Sequence, residues 1–257
     1  VSGETTHWKG TVCYDGTGYV GWQRQDNGPT VQGELEAALS RIADRPVAIQ
    51  GAGRTDSGVH AFGQVFSFEW PGEPPARLRH ALSKMLEPRI RVSALEPAAP
   101  DFNARFSAKG KTYRYAIDNA QEPWPLCARY AWHVPHKLDL ALIESLLPEI
   151  EGTRDFAGFQ SVGAQMKSNT VRTVHSVRLL RGEGIVTPAG YAPLFSLEYQ
   201  GDGFLYKMVR NLTGTLIEIG RGRFEPDFIR EQLAAGGPFL GHCAPPHGLA
   251  MMEVRYE

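Results

Sequence analysis

Gly51-Ala52-Gly53-Arg54-Thr55-Asp56-Ser57-Gly58 is followed, a few residues later, by Gln64-Val65-Phe66-Ser67-Phe68-Glu69-Trp70. In the second stretch Phe66, Phe68 and Trp70 alternate with Val65, Ser67 and Glu69. Side chains two apart share one face of a strand, so these residues predict a strand with an aromatic face. The three glycines of the first stretch predict a loop leading into it. Upstream, residues 46–50 read as a short strand. Before them Thr30 is a suitable N-cap for a helix with Val31, Leu35, Ala38, Leu39 and Ile42 on one face. Residues 7–14 read as a strand that ends at the turn Asp15-Gly16. Downstream, residues 77–86 read as a helix and 90–95 as an extended segment. The resulting order, β-α-β-β-α-β, is that of a ferredoxin-like unit.

The remaining sequence repeats this theme with insertions. Residues 111–118 predict a strand with Tyr113, Tyr115 and Ile117 on one face. Residues 138–147 predict a helix whose apolar stripe is Leu138, Leu142, Ile143, Leu146 and Leu147. Strands are expected at 171–180 and 193–199. Phe204, Met208, Leu212, Leu216 and Ile219 follow helical spacing, with Gly220 as a C-terminal cap. A short helix carrying Phe228, Ile229 and Leu233 follows Pro226, and 249–256 closes the chain as a strand. The expected class is α+β: two ferredoxin-like halves, 1–102 and 103–257, with a mainly antiparallel sheet flanked by helices and a central cleft where loops of the halves meet. Pro97, Ala98, Ala99 and Pro100 punctuate the chain just before that boundary.

The 257 residues are 42% hydrophobic and 21% charged, the balance of an ordinary globular protein. No apolar run approaches the ~20 residues that span a bilayer. Residues 1–10 contain Glu4, His7 and Lys9 and lack the apolar core of a secretory signal. Cys13, Cys127 and Cys243 form no C-x-x-C pair, which argues against a disulfide framework or zinc site and suits a reducing cytoplasm. His133, His136, His242 and His247 match no strong metal spacing, so no metal is expected. The net charge of −1 does not exclude a nucleic-acid partner, because local distribution creates a phosphate-binding surface. Arg105, Lys109, Lys111 and Arg114 lie within ten residues that hold no acid. Arg77, Arg79, His80, Lys84, Arg89 and Arg91 are interrupted only by Glu87. Such runs serve equally as solvated faces.

Chemistry concentrates in Gly53-Arg54-Thr55-Asp56-Ser57-Gly58-Val59-His60. Glycines at both ends allow a sharp turn and close approach of a large ligand. Between them stands one carboxylate beside a guanidinium. Asp is also a common turn residue, so the loop by itself leaves both readings open. Other stretches extend the pattern: Tyr14-Asp15-Gly16, Gly21-Trp22-Gln23-Arg24-Gln25, Val31-Gln32, Asp101-Phe102-Asn103-Ala104-Arg105-Phe106-Ser107-Ala108 and Lys111-Thr112-Tyr113-Arg114-Tyr115. Later come Gly152, Asp155-Phe156, Phe159, Thr170-Val171-Arg172-Thr173, Phe204-Leu205-Tyr206-Lys207-Met208-Val209-Arg210-Asn211, Ala244-Pro245 and Gly248-Leu249. Together, in order and over nearly the whole chain, they resemble the tRNA pseudouridine synthase A (TruA) family. The resemblance departs at Ser57, where the family usually has alanine, and around Leu82-Ser83 and Leu86-Glu87-Pro88-Arg89, where it tends to show Leu-Asn and Leu-Pro-Asp.

The resemblance implies an isomerase that converts uridine to pseudouridine at positions 38, 39 and 40 of the tRNA anticodon stem-loop, as a cytoplasmic homodimer and without a cofactor. It makes Asp56 the catalytic carboxylate, acting either as nucleophile at C1′ or as base at C2′. Burial favours the neutral form of a carboxylic acid and a nearby guanidinium favours the ion; by resemblance Arg210 is that ion-pair partner. Tyr113 would stack on the uracil, with a hydroxyl that could take part in proton transfer. Tyr115 is expected to be a core residue. Arg54, Arg24, Arg105, Lys109, Lys111 and Arg114 are the candidates for RNA contacts. His60 is read as hydrogen-bonded structure, since the reaction needs no second titrating group. Trp22, Gln23 and Gln25 fit either loop packing or RNA backbone contact. Two other classes remain open to the sequence: a non-catalytic RNA-binding protein, and a hydrolase that would release free uracil.

Overall fold

Thr30 caps the first helix as its sequence predicts. With φ −129° and ψ 150° it is extended, and its hydroxyl accepts from Gly33 N at 3.1 Å. The structure, a computed structural model, describes residues 5–163, 169–182 and 194–257. The chain divides into two compact units, one comprising Val1–Lys109 with Met251–Glu257 and the other Gly110–Ala250.

The first unit contains β1 (Thr5–Tyr14), α1 (Val31–Ala43), β2 (Ile49–Gly51), β3 (His60–Pro71), α2 (Leu78–Leu86) and β4 (Ile90–Pro97). β1 pairs antiparallel with β3 and β4, and β2 pairs antiparallel with β3, giving the spatial order β4-β1-β3-β2. Phe66, Phe68 and Trp70 of β3 are buried as one aromatic ladder. Phe66 and Phe68 stack at 5.7 Å, and Phe68 meets Trp70 edge-on at 6.3 Å. α1 buries Val31, Leu35, Ala38 and Leu39 and stops at Asp44, which adopts the left-handed conformation (φ 51°).

The second unit contains β5 (Gly110–Asp118), β6 (Trp132–His133), α3 (Leu140–Leu146), β7 (Gly152–Asp155), β8 (Val171–Arg181), β9 (Leu194–Gly201), α4 (Met208–Gly220) and α5 (Phe228–Ala235). The last strand, β10 (Leu249–Arg255), begins in this unit and carries the chain back to the first. β5, β9, β8 and β7 pair antiparallel in that order, with β6 parallel to the end of β5. With β6, β7 and α5 set aside, the order β5-α3-β8-β9-α4-β10 repeats that of the first unit. The class is α+β, as expected from the sequence.

Several details differ from the sequence reading. The expected boundary at 102/103 lies inside the first unit: Ala104 N donates to Ser67 Oγ at 3.1 Å, Tyr256 donates to Ala104 O, and Lys109 N donates to Arg255 O. The strand expected at 46–50 forms at Ile49–Gly51. The helix expected from Phe204 begins at Met208. Lys207 is left-handed (φ 59°), and the Tyr206 carbonyl accepts from Ser161 N instead of starting a helix. No helix among the described residues is long and apolar enough to cross a membrane.

Candidate active site

Asp56 sits, half-buried, on a turn whose shape is set by backbone bonds on both sides. Val59 N closes the turn on Asp56 O at 3.1 Å, and Gly58, with φ 77°, donates from its amide to Tyr19 O. Trp22 N donates to Thr55 O at 3.1 Å, and Ser57 Oγ donates to Tyr19 O. Ala52 N donates to Val65 O at the base of the loop. The segment after β1 therefore lies directly along the Asp56 turn. Gly16 shows how closely: a Cβ there would overlap the Val59 carbonyl. Gly16→Ala is expected to cost about 1–3 kcal/mol through that overlap, read as a lowered midpoint in thermal unfolding.

His60, buried, accepts from Gly16 N at its Nδ1 (3.0 Å), and the same nitrogen lies 3.2 Å from Asp15 Oδ1. It ties the strand start to the Asp15-Gly16 turn, the structural role read for it. Trp22 is buried, with its ring beneath Gly51, so packing accounts for it. Gln23 differs: its Oε1 accepts from Arg54 Nε at 3.2 Å and so holds that exposed side chain, two residues before Asp56 in the sequence. Arg24 is exposed, with its charge 3.5 Å from Glu36.

In the second unit, Tyr113 lies on β5 opposite Tyr199, is buried, and packs edge-on against Phe204 with ring centroids 5.3 Å apart. Tyr115 is fully buried and donates to Pro245 O at 2.7 Å. Burial pushes its phenol well above the usual tyrosine range, and the nearby Arg210 guanidinium opposes that shift. Tyr115 is thus a protonated core residue, as expected.

Arg210 projects from α4, a helix buried at every position. Its Nε donates to Ala244 O at 2.8 Å, while its own carbonyl accepts from Ala244 N at 3.1 Å. Side chain and backbone together grip Ala244-Pro245. Two further polar side chains of the helix are engaged: Asn211 donates to Phe159 O and Ser161 Oγ, and Thr213 bonds the Tyr199 hydroxyl.

The remaining basic candidates are spread between the units. Arg105 is exposed, with its guanidinium 5.4 Å from the centre of the exposed Phe106 ring, and Lys109 is exposed. Lys111 is half-buried near the start of β5. Arg114 is engaged: its Nε and Nη2 both donate to Glu198, opposite it on β9, at 3.2 and 2.8 Å.

The sequence profile described as tRNA pseudouridine synthase matches residues 11–107 and 147–257, a span that includes Asp56 and Arg210. The chain belongs to the tRNA pseudouridine synthase family. Among its relatives, tRNA pseudouridine synthase A of Streptococcus sanguinis is 39% identical over 98% of this chain and 99% of its own. Those of Geobacter sulfurreducens and Acetivibrio thermocellus are 38% and 41% identical, each over 95% of this chain and over 96% and 97% of their own. The alignments with these relatives run through both units.

Proposed function

We propose that the protein isomerises uridine to pseudouridine at positions 38, 39 and 40 of the tRNA anticodon stem-loop, with Asp56 as its catalytic carboxylate. The observation that carries the reading is the Asp56 turn, one carboxylate between Gly53 and Gly58 on a backbone bonded to neighbouring segments on both flanks. The reaction breaks the bond from C1′ of the ribose to N1 of uracil, turns the base and rejoins it through C5, which loses a proton. Atoms are rearranged and none is added. A carboxylate suffices to start it, by attack at C1′ or by proton removal from C2′. A pair of carboxylates flanking the bond, as most glycosidases use, is not required.

A stacked uridine hides both C1′ and C5, so the nucleotide must be everted at a cost of a few kcal/mol. Stacking on an aromatic ring returns about 1–3 kcal/mol, and Tyr113 is our choice for that ring. Phosphate contacts then supply most of the net affinity. Arg54, held by Gln23, is the leading candidate beside the turn, with Arg24, Arg105, Lys109 and Lys111 as further contacts. Arg114 is the weakest of the six, because Glu198 already holds it. We assign to Arg210 the role of ion-pair partner to Asp56. The assembly we propose is a cytoplasmic homodimer; light scattering at micromolar concentration is expected to give twice the monomer mass, and a strict monomer would refute it.

The test is direct. Purified protein incubated with uridine-labelled tRNA, without added metal or cofactor, is expected to yield pseudouridine mapped to positions 38–40. Free uracil among the products would establish a hydrolase instead, and binding without any product would establish an RNA-binding protein. Tyr113→Phe keeps the ring and is expected to keep most of the activity. Tyr113→Ala is expected to lose about five- to 150-fold, the equivalent of one stacked base. A loss in the phenylalanine variant as large as that in alanine would transfer the role from ring to hydroxyl.

A further inference from the structure

Beneath the Asp56 turn lie two buried polar side chains that the chemistry above does not use. Tyr14, at the end of β1, is buried, and its phenol oxygen is 2.8 Å from Thr55 Oγ1. Gln64, in β3, is fully buried; its Nε2 donates to Gly53 O at 2.9 Å and its Oε1 accepts from Val65 N at 3.2 Å. The Gln64 side chain also hydrogen-bonds the Tyr14 phenol. Donor counting orders the chain. One N–H of the Gln64 amide goes to Gly53, leaving the second for the phenol oxygen, and the phenol proton is then available to Thr55. Burial raises the Tyr14 pKa, which keeps that proton in place at neutral pH.

This network has a direction that apolar packing would not supply. Gly53 and Thr55, the residues just before Asp56, are each tied to it, one through a carbonyl and one through a hydroxyl. Thr55 is also held by Trp22 N on its backbone oxygen. Breaking a buried chain of this kind leaves polar groups unsatisfied, so the loop cannot slide without a penalty. Phenylalanine and leucine would fill the same volume and leave Thr55 free to turn.

We propose that Tyr14 and Gln64 are positioning residues for the isomerisation, fixing Gly53 and Thr55 from the strands beneath and so aiming the Asp56 carboxylate at the target sugar. The inference rests on the role assigned to Asp56. Tyr14→Phe removes one oxygen and is expected to lower kcat about ten- to a hundredfold, the scale of a misplaced catalytic group, with KM for tRNA unchanged. Thr55→Val, the same shape without a hydroxyl, is expected to match it, and Thr55→Ser to restore kcat to near the original value. The Tyr14→Phe/Thr55→Val pair is expected to be no worse than the poorer single variant, since both remove one bond.

Each variant is assayed well below its own unfolding midpoint, so a merely structural role would show as a lowered midpoint with kcat intact. Normal kcat in both Tyr14→Phe and Thr55→Val overturns the inference, as does a Thr55→Ser variant as slow as Thr55→Val. Should Tyr14→Phe fail to fold, the valine and serine variants of Thr55 decide it alone. Unmodified protein and Asp56→Asn run in the same assay separate the two levels. Inactive unmodified protein, or an active Asp56→Asn, defeats the underlying reading, whereas normal turnover in the Tyr14 and Thr55 variants defeats only this one.

Discussion

Asp56→Asn is expected to stop pseudouridine formation while leaving tRNA binding essentially intact. The substitution changes one oxygen to nitrogen, and the backbone bonds that shape the turn survive it: Val59 N on Asp56 O, Gly58 N on Tyr19 O and Trp22 N on Thr55 O. What is lost is the negative charge and with it both routes open to the residue, since a carboxamide neither attacks C1′ nor removes a proton from C2′. Removing the group that performs the chemical step costs enzymes at least about 10⁴-fold, so product should fall below detection in single-turnover assays. Affinity depends on phosphate contacts elsewhere, and a filter-binding curve should overlay that of the unmodified protein. Turnover within tenfold of normal would move the chemistry to another residue. A parallel loss of binding would make Asp56 a contact rather than a catalyst.

The parts of this site that the sequence made legible are those with a local physical signature. Thr30 announced α1 because a cap needs only its own hydroxyl and an amide three residues on. The aromatic alternation of Phe66, Phe68 and Trp70 announced β3, and the glycine-bounded Asp56 stretch announced a turn. Features that depend on distant partners stayed hidden. β7 is Gly-Thr-Arg-Asp, exposed at every position, and has no period to detect. The start of α4 was displaced by Ser161, which captures the Tyr206 carbonyl from far along the chain. Arg114 reads as a free cation until the register of β5 with β9 sets Glu198 opposite it. Tyr14 and Gln64 look like ordinary strand residues, and only the folded chain brings their polar atoms under Gly53 and Thr55.

Arg210→Ala is expected to slow turnover about 10²–10³-fold, the scale for losing one preorganised charge in a water-poor site, with tRNA affinity little changed. The side chain is 9% exposed, too enclosed to contribute much to a phosphate-binding surface, so its loss should not alter the salt dependence of binding. It should also lower stability. Arg210 Nε holds Ala244 O at 2.8 Å, and without it that buried carbonyl loses a partner, a cost of about 1–3 kcal/mol. The neighbourhood has little room to compensate. A Cβ at Gly214, one turn along α4, would overlap the His242 carbonyl, so residues 242–244 already press against the helix. Arg210→Lys separates the two effects, because an ammonium keeps the charge but lacks the planar fork that binds Ala244 O with one nitrogen and leaves others to act elsewhere. If charge is what the reaction needs, lysine should recover part of the rate while the unfolding midpoint stays low. If Arg210 merely clamps Ala244-Pro245, turnover in the alanine variant should equal that of the unmodified protein whenever both are folded, and the ion-pair role would have to be abandoned.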